Sequence, residues 1–359
     1  MQTIPVRFDD ITSVENLLCA WWEFLRGKRS RRDVQEFGLH LMDNILALHR
    51  DLVCGTYRHG GYGAFNISDP KPRNIHKASV RDRLLHHAVY RVLALHFNQR
   101  FIHDSYSCRL GKGTHKALGR FKKFARKESA NGTKTCWVLK CDIRKFFASV
   151  HHKIQLSVLS KHIADQDTLQ LLGRIIESFE TAPGKGLPLG NLTSQLLVNV
   201  YMNKFDQWMK HAMKVKYYVR YADDFVVLSR DKDFLTELLP KIGVFLEENL
   251  KLTLHPDKVF IKTLASGVDF LGWVHFPDHH VLRTATKRRM LKNLSQTGAT
   301  EATRQSYLGM LRWGNTKKLR QKMLHYTQHA GRYRTTRTIS RRHEDVVAFQ
   351  GAGDAETRP

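Results

Sequence analysis

The sequence predicts an α+β fold, and three observations carry that prediction. Short apolar runs of strand character alternate with amphipathic helical stretches, a hairpin pattern stands at residues 217–229, and the composition is that of an ordinary globular protein. At 359 residues with 42% hydrophobic content, the chain can form two or three subdomains with sizeable cores and needs no disulfides. Strands mixed with helices in this way indicate a sheet covered on one face.

From the N-terminus, residues 12–54 read as two helices. "TSVENLLCAWWEFLRG" has a polar start at Ser13, and "DVQEFGLHLMDNILALHRDL" repeats apolar residues at intervals of three and four. "YGAFNISDPKPRNIHKAS" places the turn signal Asp69-Pro70 between two extended pieces, a small basic β element. "VRDRLLHHAVYRVLALHF" returns to helix. Residues 136–143 read as a strand that ends on Asp142, residues 154–179 as helix, and "TAPGKGLPLG" (181–190) as a Gly/Pro loop. In "NLTSQLLVNVYMNKFDQWMKHAM", Leu197, Tyr201, Phe205 and Trp208 form one stripe, so this helix should pack one face on a core. The hairpin "YYVRYADDFVVLS", a helix near 232–250, "LKLTLHPDK" and "VDFLGWVHF" follow.

Charge narrows the partners. Lys plus Arg number 59 against 33 Asp plus Glu, a net charge of +26 that favours a polyanion, nucleic acid first among them. Residues 281–343 hold sixteen Lys/Arg against the single acid Glu301, a block suited to lie along phosphates. Cys19, Cys54, Cys108, Cys136 and Cys141 have neither C-x-x-C nor zinc-finger spacing, which points to a reducing compartment. Acids among the first thirty residues argue against a signal peptide, and no run approaches a membrane span; a cytoplasmic location with no membrane partner is expected.

Asp223 and Asp224 sit together at the tip of the apolar hairpin. A tight turn can aim both at one point, where they would repel unless a divalent cation joined them. Magnesium takes one or two protein carboxylates and fills its shell with phosphate oxygens and water, so a third acid should lie on a neighbouring strand. Asp142, delivered by "WVLKCD", is the candidate. Two metals about 3.5–4 Å apart on such acids would serve phosphoryl transfer as in a polymerase palm. The competing reading is a solvated Asp-rich turn.

The ordered blocks "CDIRKFF", "GLPLGNLTSQ", "YADD", "LHPDK" and "FLGW" resemble the reverse transcriptase family over roughly residues 65–275. That resemblance implies a right-hand fold of fingers, palm and thumb that copies RNA into DNA with two Mg2+ ions, Mn2+ being a substitute. Its metal ligands carry over to Asp142, Asp223 and Asp224. It places Phe147 as an aromatic gate under the incoming sugar, with core packing the alternative and the expected role of Phe146. Tyr221 matches the support of the primer terminus, and Lys258 a lysine near the palm acids. Lys71, Arg73 and Arg109 are candidates for the triphosphate, each equally readable as a surface charge. "GKGT" (111–114) is no P-loop, since Gly113 follows Lys112. "FLGW" is either a turn that approaches the primer or a packed hairpin, and "SYLGMLRWGNTKKL" has the character of a thumb helix pair.

Within the superfamily of intron-like and retron-like enzymes, "LPLGNLTSQ" departs from the common pattern. Leu189 precedes Gly190 where Gln is usual, and Gln195 stands where Pro is usual, which resembles reverse transcriptases of diversity-generating retroelements. A Leu at this loop removes hydrogen-bonding capacity beside the nucleotide, and discrimination among base pairs rests on only about 1–3 kcal/mol. The resemblance implies error-prone, adenine-mutagenic cDNA synthesis on a structured template RNA, with dNTPs, an RNA/DNA duplex and a small basic accessory protein as partners. A phage-defence reverse transcriptase and a catalytically silent RNA-binding scaffold are the alternatives; a nucleotide cyclase would leave the basic thumb unexplained. The expected organisation is N-terminal helices and fingers (1–135), palm (136–280), basic helical thumb (281–343) and a disordered tail (344–359).

Overall fold

The computed structural model describes residues 3–68, 72–295 and 300–323. The 344–359 tail and the end of the expected thumb lie outside the described residues. Two compact units divide the chain, Met1–Ser266 and Gly267–Pro359.

The first unit opens with α1 (Phe8–Thr12), followed by α2 (Val14–Phe24), α3 (Arg32–Leu39) and α4 (Leu41–Val53), three helices where periodicity over 12–54 predicted two. Ser13 starts α2 as expected, its hydroxyl accepting from the Asn16 amide. The second predicted helix breaks because His40 leaves helical backbone at φ −117°, ψ 42°. Next come the basic hairpin, β1 (Gly63–Ile67) antiparallel to β2 (Arg73–Lys77), and the helices α5 (Val80–Arg100) and α6 (Thr114–Glu128).

The remainder of this unit is β3 (Trp137–Asp142), α7 (Phe146–Ser149), α8 (His152–Ser160), α9 (Gln166–Glu177), α10 (Leu192–Gln207), β4 (Tyr218–Tyr221), β5 (Asp224–Ser229), α11 (Lys232–Leu250) and β6 (Phe260–Thr263). The continuous helix expected over 154–179 is two, because the Asp165 carboxylate accepts from the Thr168 amide and caps a new start. The strands form one antiparallel sheet in the order β4-β5-β3-β6.

Helix α10 corrects the one-face reading. Leu197, Tyr201 and Phe205 are buried as expected, but so are Leu196, Val198, Asn199, Val200, Met202 and Asp206. It is therefore a central helix, packed by α5 and α8. The Phe205 ring lies 5.2 Å from Phe225 of β5, and Trp208 stacks on Phe245 of α11 at 4.4 Å. A sheet covered on one face is corrected too. Leu139, Cys141, Phe225 and Val227 join the main core, while the alternate residues Val138, Val219, Val226 and Leu228 are also buried, and α6 packs on β4 and β5. At roughly 1.5–3 kcal/mol per large buried side chain, both faces hold the strands in register.

In the second unit β7 (Val268–Phe270), β8 (Trp273–His275) and β9 (His280–Leu282) form a separate antiparallel sheet, followed by α12 (Thr284–Ser295) and α13 (Glu301–Leu311). "FLGW" is a packed hairpin here, with Phe270 and Trp273 buried around a turn in which Leu271 and Gly272 have φ of 51° and 84°. The division after Ser266 groups this hairpin with α12 and α13. Its physical basis is local: the Asn315 amide donates to the His280 carbonyl at 3.0 Å, and Gly314 lies so close to the Trp273 ring that no side chain would fit.

Candidate active site

Strand alternation builds the site. Val138, Lys140 and Asp142 share one face of β3, and Asp142 lies directly opposite Asp224 of β5 in the antiparallel register. Tyr221 of β4 pairs with Asp224, so the hairpin turn consists of Ala222 and Asp223 alone. Ala222 has φ 57°, the positive value that two-residue hairpin turns demand and that side chains disfavour. The Ile143 amide donates to the Asp223 carbonyl at 3.2 Å, tying the end of β3 to the turn.

Asp223 in the turn and Asp224 at the start of β5 lie beside the Asp142 charge, and this crowding disfavours ionisation of the hairpin pair. Burial, with Asp223 and Asp142 nearby, pushes the Asp224 carboxyl up to about 7, although Lys140 opposes the shift from 3.5 Å. Burial and the Asp142 charge raise Asp223 as well, against the pull of Lys258 and Arg73. The Lys258 ammonium sits 3.0 Å from Asp142 Oδ1. Among the described residues no three His, Cys, Asp or Glu side chains close into a ready-made metal cage. The acids are thus adjacent, each of the outer two shared with an ammonium group, and the turn does not by itself aim both hairpin acids at a closed ligand set.

The donor set nevertheless suits magnesium. Asp224 Oδ1 is buried with no hydrogen-bond partner, and all donors are hard carboxylate oxygens. A cation there would satisfy the orphan oxygen and offset the mutual repulsion.

Phe147 is half-buried, its ring 5.7 Å from that of the fully packed Phe146, and its carbonyl accepts from the Leu187 amide at 2.8 Å. The loop through Leu189 and Gly190 is fastened to the basic β1–β2 hairpin: the His76 amide donates to the Leu189 carbonyl (2.9 Å), and Asn191 Nδ2 donates to the His76 carbonyl (3.1 Å). Gly190 has φ 113°, and a Cβ there would meet Ile75 Cγ2 at 2.9 Å, so both conformation and space exclude a side chain. Gln195 lies half-buried on the first turn of α10. Tyr221 accepts a hydrogen bond on its hydroxyl from Thr114 at 3.1 Å.

Arg73 is exposed on β2, and its charge acts on Asp223. Lys71 lies outside the described residues. Arg109 is a correction: Nε donates to Asn98 Oδ1 (2.8 Å), Nη1 to the Ile102 and Ser105 carbonyls (2.6 and 2.8 Å), and Nη2 to the Asn98 carbonyl (3.0 Å). Its guanidinium also lies over the Phe101 ring, so it ties its loop to the end of α5 instead of facing a triphosphate.

Sequence reasoning missed Lys140, Arg220 and Asp206. Lys140 was findable, because a lysine two residues before Asp142 in an apolar strand must share its face. Arg220 and Asp206 interrupt apolar runs, and buried charges in such runs need each other. The Arg220–Asp206 pair has both side chains fully buried, with nitrogen–oxygen distances of 2.7 and 2.6 Å.

A palm sheet with acids on neighbouring strands, joined to a basic fingers hairpin, is the fold of a right-hand nucleic acid polymerase. The family model "Reverse transcriptase (RNA-dependent DNA polymerase)" matches residues 68–275, more than half of the chain, and the protein belongs to that family. Relatives include Protein YkfC of Escherichia coli strain K12, 27% identical over 244 residues that cover 57% of this chain and 63% of YkfC. The Putative COX1/OXI3 intron 2 protein of Saccharomyces cerevisiae is 20% identical over 276 residues, covering 60% of this chain and 30% of the relative. The match thus spans less than two thirds of either relative. In fold, the chain is similar to telomerase from Candida albicans, solved with a fragment of telomeric RNA, at a TM-score of 0.50 and 10% identity, covering 77% of this chain and 58% of that one.

Proposed function

We propose that the protein is an RNA-directed DNA polymerase that makes error-prone cDNA from a structured template RNA, as in a diversity-generating retroelement. The observation that carries the polymerase reading is the register that faces Asp142 with Asp224 and leaves Asp223 in the turn between. Magnesium held by these acids would activate the primer 3′-hydroxyl and stabilise the departing pyrophosphate. Lys258 and Lys140 steady the carboxylates, and Arg73 supplies positive charge on the fingers side. Phe147 lies on the segment bonded to the 187–191 loop, a placement that supports its role as a sugar gate. The basic second unit suits backbone contacts to a template–primer duplex.

Support for low fidelity comes from Leu189. The His76 amide holds its carbonyl to β2, and its side chain has no hydrogen-bonding group where the usual Gln carries an amide. Purified protein given magnesium, dNTPs, its cognate RNA and the accessory protein should yield cDNA whose substitutions concentrate at template adenines. The Leu189→Gln variant should lower that mutation rate. Accurate cDNA from the wild type would remove the retroelement assignment while leaving the polymerase intact; no cDNA from any primed RNA would remove both.

A further inference from the structure

We infer that Arg220 is a positioning residue for the catalytic turn: locked on Asp206, it holds the Ala222 carbonyl and through it the placement of Asp223 and Asp224. The inference rests on the polymerase reading of those two acids. Arg220 Nη1 donates to the Ala222 carbonyl at 3.0 Å, so one guanidinium reaches the residue whose positive φ shapes the turn. The other side of the fork is bidentate on Asp206 of α10, through Nε to Oδ1 (2.7 Å) and Nη2 to Oδ2 (2.6 Å). Nη2 also donates to Ser105 Oγ at 3.1 Å, and Nη1 lies 3.4 Å from Asn199 Oδ1.

Asp206 and Asn199 are anchored in their turn. The Tyr218 hydroxyl donates to Asp206 Oδ1 at 2.7 Å, and Asn199 Nδ2 donates to the Ser107 carbonyl at 2.9 Å. The backbone repeats the link: the Arg220 amide donates to the Asp104 carbonyl (2.9 Å), and the Tyr106 amide to the Arg220 carbonyl (3.0 Å). Three separate parts of the chain, the 104–107 loop, α10 and β4, therefore converge on a turn of two residues.

A buried ion pair is a poor device for stability alone, since an apolar pair of similar volume often packs as well. What an apolar pair lacks is a donor for the Ala222 carbonyl. Catalytic carboxylates must be placed to within a fraction of an ångström, and a misplacement of about 1 Å lowers rates roughly 100-fold. The fork geometry matters too, because a lysine is a point charge and cannot serve Asp206, Ser105 and the turn carbonyl together.

The test uses the full chain with two variants. Arg220→Met combined with Asp206→Asn removes both charges and keeps an acceptor for Tyr218; Arg220→Lys keeps the charge without the fork. On a primed RNA template both should lose about 100-fold in kcat, with KM for dNTP changed by less than about threefold and the magnesium concentration for half-maximal activity raised. Independently of activity, amide exchange at residues 221–224 should accelerate in both variants, while the rest of β3 and β5 keeps its protection. Wild-type exchange rates in the turn, or full kcat at the ordinary magnesium requirement in either variant, would overturn the inference. An inactive wild type would count against the polymerase reading instead, and the exchange experiment would still decide the role of Arg220.

Discussion

Replacing Asp224 by Asn should stabilise the protein at alkaline pH far more than in acid. In the folded protein this carboxyl is pushed up to about 7, against roughly 3.9 for an unfolded chain. The gap of about three units corresponds to about 4 kcal/mol. Its sign follows from the direction of the shift. Below about pH 4 both states are protonated and no penalty exists; the penalty grows as pH rises and is complete above about pH 7. Between about pH 5 and pH 8 the folded state should lose roughly 3 kcal/mol through this one group. Asparagine carries none of that cost. The attraction of Lys140 for the ionised carboxylate is already contained in the value of about 7, so its loss in the variant is part of the same difference. Urea unfolding of wild type and Asp224→Asn in the presence of a chelator, at about pH 5 and about pH 8, reads the difference. The advantage of the variant should widen by roughly 2–3 kcal/mol, and added magnesium should restore the wild type at the higher pH. An advantage that stays constant or shrinks between the two pH values refutes the claim that this site stores unfavourable charge for a cation to neutralise.

Three further outcomes are expected. Phe147→Ala should raise ribonucleotide incorporation relative to deoxynucleotide by about 10-fold or more, measured by competing the two on one primed template, because the role proposed for this ring is steric exclusion of the 2′-hydroxyl. Arg109→Ala should cost about 2–4 kcal/mol in unfolding free energy while leaving KM for dNTP within about twofold in the folded fraction, as its bonds are to its own loop and the end of α5. Gly190→Ala should lower the melting temperature and loosen the loop, because both φ 113° and the nearness of Ile75 oppose a side chain.

Much of the fold was legible because burial leaves a period in sequence. The hairpin around Asp223 and Asp224, the strand that ends on Asp142 and the helix near 232–250 lie where alternation and 3.6-residue spacing placed them. What escaped were features set by tertiary contact. The break at His40 has no Pro or cap residue to announce it, and α10 is wrapped on most sides although its sequence shows one strong stripe. Burial of the second sheet face depends on α6, whose basic surface hid its inward Leu118, Phe121 and Phe124. At the site, the acids stood out by motif, whereas Lys140 and the Arg220–Asp206 pair required knowing which strand faces which helix. Arg109 shows the opposite error: a basic loop residue beside glycines resembles a phosphate ligand until its donors are traced to nearby carbonyls.

The most direct trial of the account is magnesium-dependent incorporation of labelled dNTP on a DNA-primed RNA template by wild type and by Asp142→Asn, a change that keeps size and removes one negative charge. Incorporation by the wild type and a fall of about 1,000-fold or more in the variant is the predicted pair of results. Undiminished synthesis by Asp142→Asn would contradict the assignment, because the strand facing Asp224 would then contribute nothing to the chemistry.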